Sequence, residues 1–461
     1  MPTAELKNLL AEVKAIVPVH SVGRVTEIRR GTLTVSGLSS VASLGDLVRI
    51  ERRGQTDMGG EVLQLTRGAI VVLADRSAEG VVIGDMVTLL GQNGIAPDDS
   101  WIGRVIDPAG QPMDGRPLLR GTGARPLRAE APKATERRPL GARLETGVAA
   151  FNTLLPLVRG QRLGLFAGSG VGKSMLLAKF ARGVQADVVV IALVGERGRE
   201  VREFVDHVLG AAGMARAVVV AATSDQSPLV RRRCAWTAMA VAEHFRDQGA
   251  HVLLLTDSIT RFAEAHREVA LASGEEASLR GYPPSTAHMI MGLCERAGPG
   301  TETSGDITAV FSVLVAGSDM DEPIADILRG VLDGHIVLDR KIAERGRFPA
   351  IDLLRSVSRS LPAAASGEEN ELIAQARKLL GAYDRAEMMI QAGLYSSGSD
   401  PLIDAAIEVW PDVDGFLAED EPVDIDASFV RLARAMRRAD DDDKSQVFGA
   451  AGVQGVGQPT T

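Results

Sequence analysis

Residues 162–174 read RLGLFAGSGVGKS, and the fold is decided there. Arg162–Phe166 is apolar enough for a buried strand, and a helix follows from about Lys173. Between them lies a glycine-rich turn that closes on Lys-Ser. Strand, glycine loop and helix in that order are the context a P-loop requires. Gly168, Gly170 and Gly172, with Ser169 and Val171 between them, let backbone N–H groups turn inward around phosphate oxygens. The helix directs the positive end of its dipole at the same anion. The expected nucleotide-binding segment therefore runs from Gly168 to Met175. Lys173 is placed to reach the β- and γ-phosphates of ATP, and the Ser174 hydroxyl to ligate Mg²⁺. The strict pattern opens with Gly where this chain has Ala167, at the strand end, where a methyl is tolerated.

Two further segments gain meaning from the P-loop upstream. His251–Asp257 (HVLLLTD) places a carboxylate at the carboxyl end of a buried strand, the edge where α/β sheets bind ligands. Asp257 is a candidate to hold the water shell of Mg²⁺. GERGRE (195–200) directly follows the strand Val188–Val194. Glu196 would face the phosphates and polarise an attacking water, and Arg197 would stabilise phosphate charge. Without the P-loop, the charges of 196–203 read as a surface salt-bridge network. RFPAIDLLRSVSR (347–359) reads from composition alone as a loop.

Around this core the pattern predicts further units. Leu6, Leu9, Leu10, Val13, Ile16 and Val17 fall on one helical stripe within 1–19, either a cap on its own domain or a docking arm. Residues 20–92 alternate apolar and polar, cut by glycines, as in a small β-barrel. Residues 93–365 form the α/β unit, whose apolar strands alternating with helices imply a parallel sheet covered on both faces. It opens on a Pro/Gly-rich stretch, GRVIDPAGQPMDGRPL, that reads as turns and a linker, and Ile307–Val315 extends the sheet. Residues 366–438 are helical, and 439–461, with four consecutive aspartates, read as a disordered tail.

The 461-residue chain has 51 Lys plus Arg against 60 Asp plus Glu, a formal net charge of -9. That balance argues against nucleic acid as a partner, as do aromatics at only 4%. Cys234 and Cys294 have no metal-ligand spacing and read as reduced core thiols of a cytosolic protein. The amino terminus does not resemble a signal peptide, and no apolar run is long enough to span a bilayer.

The whole set resembles the rotary and secretion ATPases related to the catalytic subunit of F-type ATP synthase. The resemblance covers roughly 20–438 and rests on ETGVAAFNTLLPLVRGQRLGLFAGSGVGKS, LVGERGREVREF, LTDSITRFAEAHREVAL, GYPPS, DITAVFSVLV and FPAIDLLRSVSR. FAGSGVGKS and GERGREVREF are most similar to the type III export ATPases, the flagellar enzyme among them, and Ala167 is that branch's form. The resemblance implies that Glu196 is the catalytic glutamate, with Arg197 beside it, and that Asp257 is the Walker B aspartate. It implies that Arg359 is an arginine finger entering a neighbouring subunit's site, worth ~10³–10⁵ in rate. Phe348 would stack on adenine, with Tyr395 near the same base. A chain holding both glutamate and finger can complete its own copies' sites, so a homohexamer is expected.

The implied activity is ATP hydrolysis coupled to protein export through the flagellar type III apparatus. The implied setting is the cytoplasm, at the inner face of the cytoplasmic membrane. Implied partners are a stator-like regulatory protein on the amino-terminal helix, a central stalk protein, the export gate, and export substrates with their chaperones. The alternatives are an injectisome ATPase, a catalytic subunit of a proton-translocating ATP synthase, and an RNA-translocating hexameric helicase.

Overall fold

The computed structural model describes residues 4–29, 31–92, 94–278, 281–315, 320–421 and 423–437. The aspartate-rich tail expected at 439–461 lies outside them. Six antiparallel strands close the amino-terminal barrel: β1 (Val22–Arg29), β2 (Thr32–Ser36), β3 (Leu47–Ile50), β4 (Met58–Leu65), β5 (Ala69–Ala74) and β6 (Met86–Gly91). Strict alternation builds it: in AIVVLA every second residue is buried, and Leu33, Val35, Ile50, Ile70 and Val72 fill the interior. A period of two puts one face of each strand inside.

A two-stranded ribbon, β7 (Gly94–Ile95) with β9 (Arg125–Pro126), brackets the next element, β8 (Arg104–Ile106). The remaining strands are β10 (Arg162–Ala167), β11 (Val188–Glu196), β12 (Ala217–Thr223), β13 (His251–Asp257), β14 (Asp306–Leu314), β15 (Gly334–Leu338) and β16 (Ile351–Ser358). With β8 they form one eight-stranded sheet in the order β16-β15-β10-β14-β13-β11-β12-β8. Neighbours are parallel except β16, which runs antiparallel to β15. The central strands are near-continuously buried because helices cover both faces.

Three details refine or correct the sequence reading. The Pro/Gly-rich stretch contributes β8, whose Arg104 is fastened by a bidentate pair with Asp114 at 2.6 and 2.8 Å. β14, the run expected to add to the sheet, does so from inside it, between β10 and β13. Residues 351–358, expected as loop, form the edge strand β16. Its buried Ser356 and Ser358 and its exposed Leu354 and Val357 invert the usual alternation, which hides the strand pattern.

Helices Gly367–Gln391, Pro401–Phe416 and Ile425–Ala435 make the carboxy-terminal unit. A capping box of Ser366 with Glu369 starts the first, and Arg143 of the α/β unit bonds Glu369 at 2.7 Å. The amino-terminal helix is Ala4–Ala15. Asn8 is its one buried side chain among those described, held to Asp98 at 3.1 Å. The apolar stripe from Leu6 to Val17 lies on the other side and stays 54–68% exposed, so it does not cap its own domain.

Candidate active site

The carboxyl ends of β10, β11, β13 and β14 meet at one edge of the sheet. A cleft of about 910 Å³ opens there, lined by Gly168, Lys173, Glu196, Arg261, Glu264 and Tyr282 among others. That volume suits a nucleotide-sized ligand. The glycine loop leaves β10 at Ala167, with Gly170 at φ 77° and Gly172 at φ 87°, a region that side chains disfavour. Gly172 has a second reason to be glycine: a Cβ there would stand 3.0 Å from Cδ1 of Phe348. The Phe348 ring therefore lies against the loop, half exposed.

The helix Lys173–Gly183 has Gly172 as its cap, with no side chain bonded to its first N–H groups. Those donors are left for an anion. Ser169, Ser174 and Met175 line the cleft, whereas Val171 is packed in the core and offers only its backbone.

Two carboxylates converge on Lys173. Register places Asp257 of β13 beside Leu193 of β11, three residues before Glu196. Asp257 is 3% exposed, pairs with the Lys173 ammonium and accepts a hydrogen bond from Ser312 Oγ at 2.8 Å. Glu196 ends β11, with Arg261 Nε 3.6 Å from Oε1. Burial, and next the charge of Asp257, push the Glu196 carboxyl above its ordinary range, against the pull of Lys173 and Arg261. A raised pKa makes a carboxylate a better proton acceptor near neutral pH. Arg197 lies at the cleft mouth, exposed, 3.5 Å from Glu200.

A hydroxyl at Ser174 and a buried carboxylate at Asp257 are hard oxygen donors, the set that suits Mg²⁺ when phosphates supply further oxygens. Among the described residues no group of three His, Cys, Asp or Glu could hold a metal.

Arg359 is elsewhere. Its backbone N–H bonds the Asp333 carbonyl at 3.0 Å, and Asp333 is fastened to Arg162 at the start of β10. The P-loop begins five residues later, at the other end of that strand. At ~3.3 Å per residue the separation is roughly 16 Å, beyond the reach of an arginine side chain into its own cleft. Tyr395 does not line the cleft either. Its hydroxyl bonds Asp404 at 3.0 Å and the Asp400 carbonyl at 3.1 Å, within the helical unit. Sequence reasoning missed Arg261 and Ser312. Arg261 was findable, four residues past Asp257 on the following helix. Ser312 was not, because only the β13–β14 pairing brings it to Asp257.

Residues 147–358 match the ATP synthase alpha/beta family, nucleotide-binding domain, and residues 365–434 match the T3SS EscN ATPase C-terminal domain. The "Flagellum-specific ATP synthase" of Caulobacter vibrioides is 43% identical over 441 residues, covering 94% of this chain and 99% of that one. The "Type 3 secretion system ATPase" of Pseudomonas syringae pv. syringae is 40% identical over 423 residues, covering 90% and 93%. Among solved structures, the assembled ATPase EscN of enteropathogenic E. coli superposes with a TM-score of 0.83 at 35% identity, over 90% of this chain and all of that one. EscN in complex with its central stalk EscO gives 0.81 at 36% identity, with the same coverage. The chain thus belongs to the flagellar and type III secretion ATPases of the ATP synthase alpha/beta family.

Proposed function

We propose that this ATPase drives protein export through a flagellar type III apparatus, working as a ring of six identical chains. The observation that carries the reading is that the P-loop and Glu196 line one cleft, with Asp257 buried against Lys173, while Arg359 stands at the sheet's opposite end. A site with every part except its finger fits completion by a neighbour.

In this reading the loop amides from Gly168 to Ser174 hold the phosphates, and Lys173 neutralises the β- and γ-oxygens. Phe348 supports the adenine. Glu196 orients a water and accepts its proton as the oxygen attacks the γ-phosphorus. The bond to the bridging oxygen breaks, and ADP leaves with the electron pair. Arg359 of the adjacent chain, with Arg197 nearby, offsets the charge on the transferring group. Ser174 and Asp257 would hold Mg²⁺, which supplies further charge neutralisation at the phosphates.

The relatives named flagellum-specific favour the flagellar system over the injectisome. The assembled EscN and its complex with the central stalk EscO support an assembled ring and a central stalk partner. The exposed stripe on Ala4–Ala15 fits a stator-like regulatory protein, and the helical unit would meet export substrates and their chaperones. The export gate would place the ring at the inner face of the cytoplasmic membrane. No helix among the described residues is long and apolar enough to cross a membrane.

The test replaces the chromosomal copy with Lys173→Ala. Such cells should secrete no flagellar filament protein, and the purified variant should not hydrolyse ATP. Normal filaments together with loss of a different secreted set would move the assignment to an injectisome.

A further inference from the structure

The loop that carries Phe348 is shaped by a buried guanidinium from the residue before it. Arg347 Nη1 donates to the Pro349 carbonyl at 3.2 Å, and Nη2 to the Ile351 carbonyl at 2.7 Å. Its side chain is 9% exposed, and its Nε stands 3.0 Å from Oδ1 of Asp414. Asp414 lies on the helix Pro401–Phe416 of the carboxy-terminal unit. The contact is an ion pair without the alignment of a hydrogen bond, since Arg347 Nε has no hydrogen-bond partner. Burial works against the charge of Arg347, and the carboxylates of Asp414 and Asp352 oppose that, Asp414 the more strongly.

The chain of contacts runs in one direction. Asp414 fixes the guanidinium, the guanidinium bridges the Pro349 and Ile351 carbonyls on either side of Ala350, and that backbone presents Phe348 to Gly172. A second pair, Arg345 with Glu387 on the helix Gly367–Gln391, ties the same segment to the same unit.

We propose that Asp414, through Arg347, is a positioning residue that holds the Phe348 ring against the P-loop and so sets the grip on the nucleotide base. The helical unit thereby controls base binding, and a partner that moves this unit changes nucleotide affinity without touching the phosphate site. The proposal rests on the reading of Phe348 as the base platform.

The test measures KM and kcat for ATP, and inhibition by inorganic tripolyphosphate, which has phosphates and no base. Asp414→Asn keeps the shape and removes the charge. It should raise KM for ATP about three- to tenfold, part of what loss of a stacked base is worth. Turnover at saturating ATP should stay within about twofold, and tripolyphosphate should inhibit as it does the wild type. Asp414→Glu, which restores charge, should bring KM back toward wild type, so a folding defect in Asp414→Asn would not hide the effect. Phe348→Ala should raise KM for ATP more strongly, and adding Asp414→Asn to it should raise KM no further.

An unchanged KM in Asp414→Asn beside a raised KM in Phe348→Ala would overturn the proposal and leave the platform reading standing. Equal weakening of ATP and tripolyphosphate, or effects that add to those of Phe348→Ala, would overturn it as well. An unchanged KM in Phe348→Ala would refute the platform reading itself, and the proposal with it.

Discussion

Replacing Glu61 with alanine should loosen the barrel from the α/β unit. Glu61 sits on β4, 4% exposed, facing three guanidinium groups. Arg232 donates to it at 2.8 Å and Arg128 at 3.1 Å, and Arg233 stands 3.6 Å away. Arg232 and Arg233 belong to the helix Pro228–Asp247 and are as buried as Glu61, whereas Arg128 is half exposed. Burial pulls the Arg232 guanidinium down to about 10, and Glu61 is the first opposing influence. Without the carboxylate, two buried cations lose their counter-charge. Breaking a buried pair from one side costs about 3–5 kcal/mol, against ~1 kcal/mol or less for an exposed one. Asp75, whose carboxyl also feels Arg233, remains nearby and favours the lower end, about 3 kcal/mol.

Urea unfolding should show that loss, with hydrogen exchange locating it at β4 and the start of the helix Pro228–Asp247. Trp236 lies 4.4 Å from the Arg128 guanidinium and 4.9 Å from that of Arg232, so its emission should report the change. Glu61→Met combined with Arg232→Met should recover part of the stability, because of the two buried cations only Arg233, which has Asp75 nearby, is then left without the carboxylate. A loss below about 1 kcal/mol in Glu61→Ala would refute the reasoning: the cluster would be hydrated and the interface wet.

Other outcomes follow from the cleft. Glu196→Gln should lose hydrolysis by about 10²-fold or more and still bind ATP, measured by turnover and by calorimetric titration. The same variant should be more stable than wild type at neutral pH. The native pKa of Glu196 lies above its ordinary 4.5, so the native state holds the proton more tightly and wild-type stability falls as pH rises through that interval. Thermal unfolding should therefore show the advantage of Glu196→Gln growing as pH rises from below 4.5 and levelling off above the native pKa. Gly172→Ala should cost about 1–2 kcal/mol from its left-handed backbone. By crowding Phe348 it should also raise KM for ATP, read by thermal shift and steady-state kinetics.

The sequence disclosed much of this because its strongest signals are local. The P-loop lies within one strand–turn–helix, so Gly168–Ser174 could be placed before any fold was known, and strict alternation did the same for the barrel. Glu196 and Asp257 were legible because each ends an apolar run, and parallel strands bring such ends to one edge. What escaped depends on strand order and on partners distant in sequence. β16 was hidden because its serines turn inward while Leu354 and Val357 are exposed, on an edge that only β15 defines. Ser312 reaches Asp257 because β14 inserts beside β13. The amphipathic stripe at Leu6–Val17 was visible, but whether it faced its own domain was not, since both uses need the same spacing. Asp414 lies 67 residues from Arg347, with no motif to connect them.

The central claim, that each site is completed by a neighbouring chain, is tested most directly by mixing two inactive proteins. Hydrolysis per chain is measured against concentration for wild type, Glu196→Gln, Arg359→Ala and an equimolar mixture of the two variants. The account predicts a wild-type rate that climbs steeply with concentration, near silence from each variant alone, and restored activity in the mixture. There, junctions pair an intact Glu196 with an intact Arg359. A fully active Arg359→Ala, with a rate per chain that does not depend on concentration, would contradict it and place a complete site within one subunit.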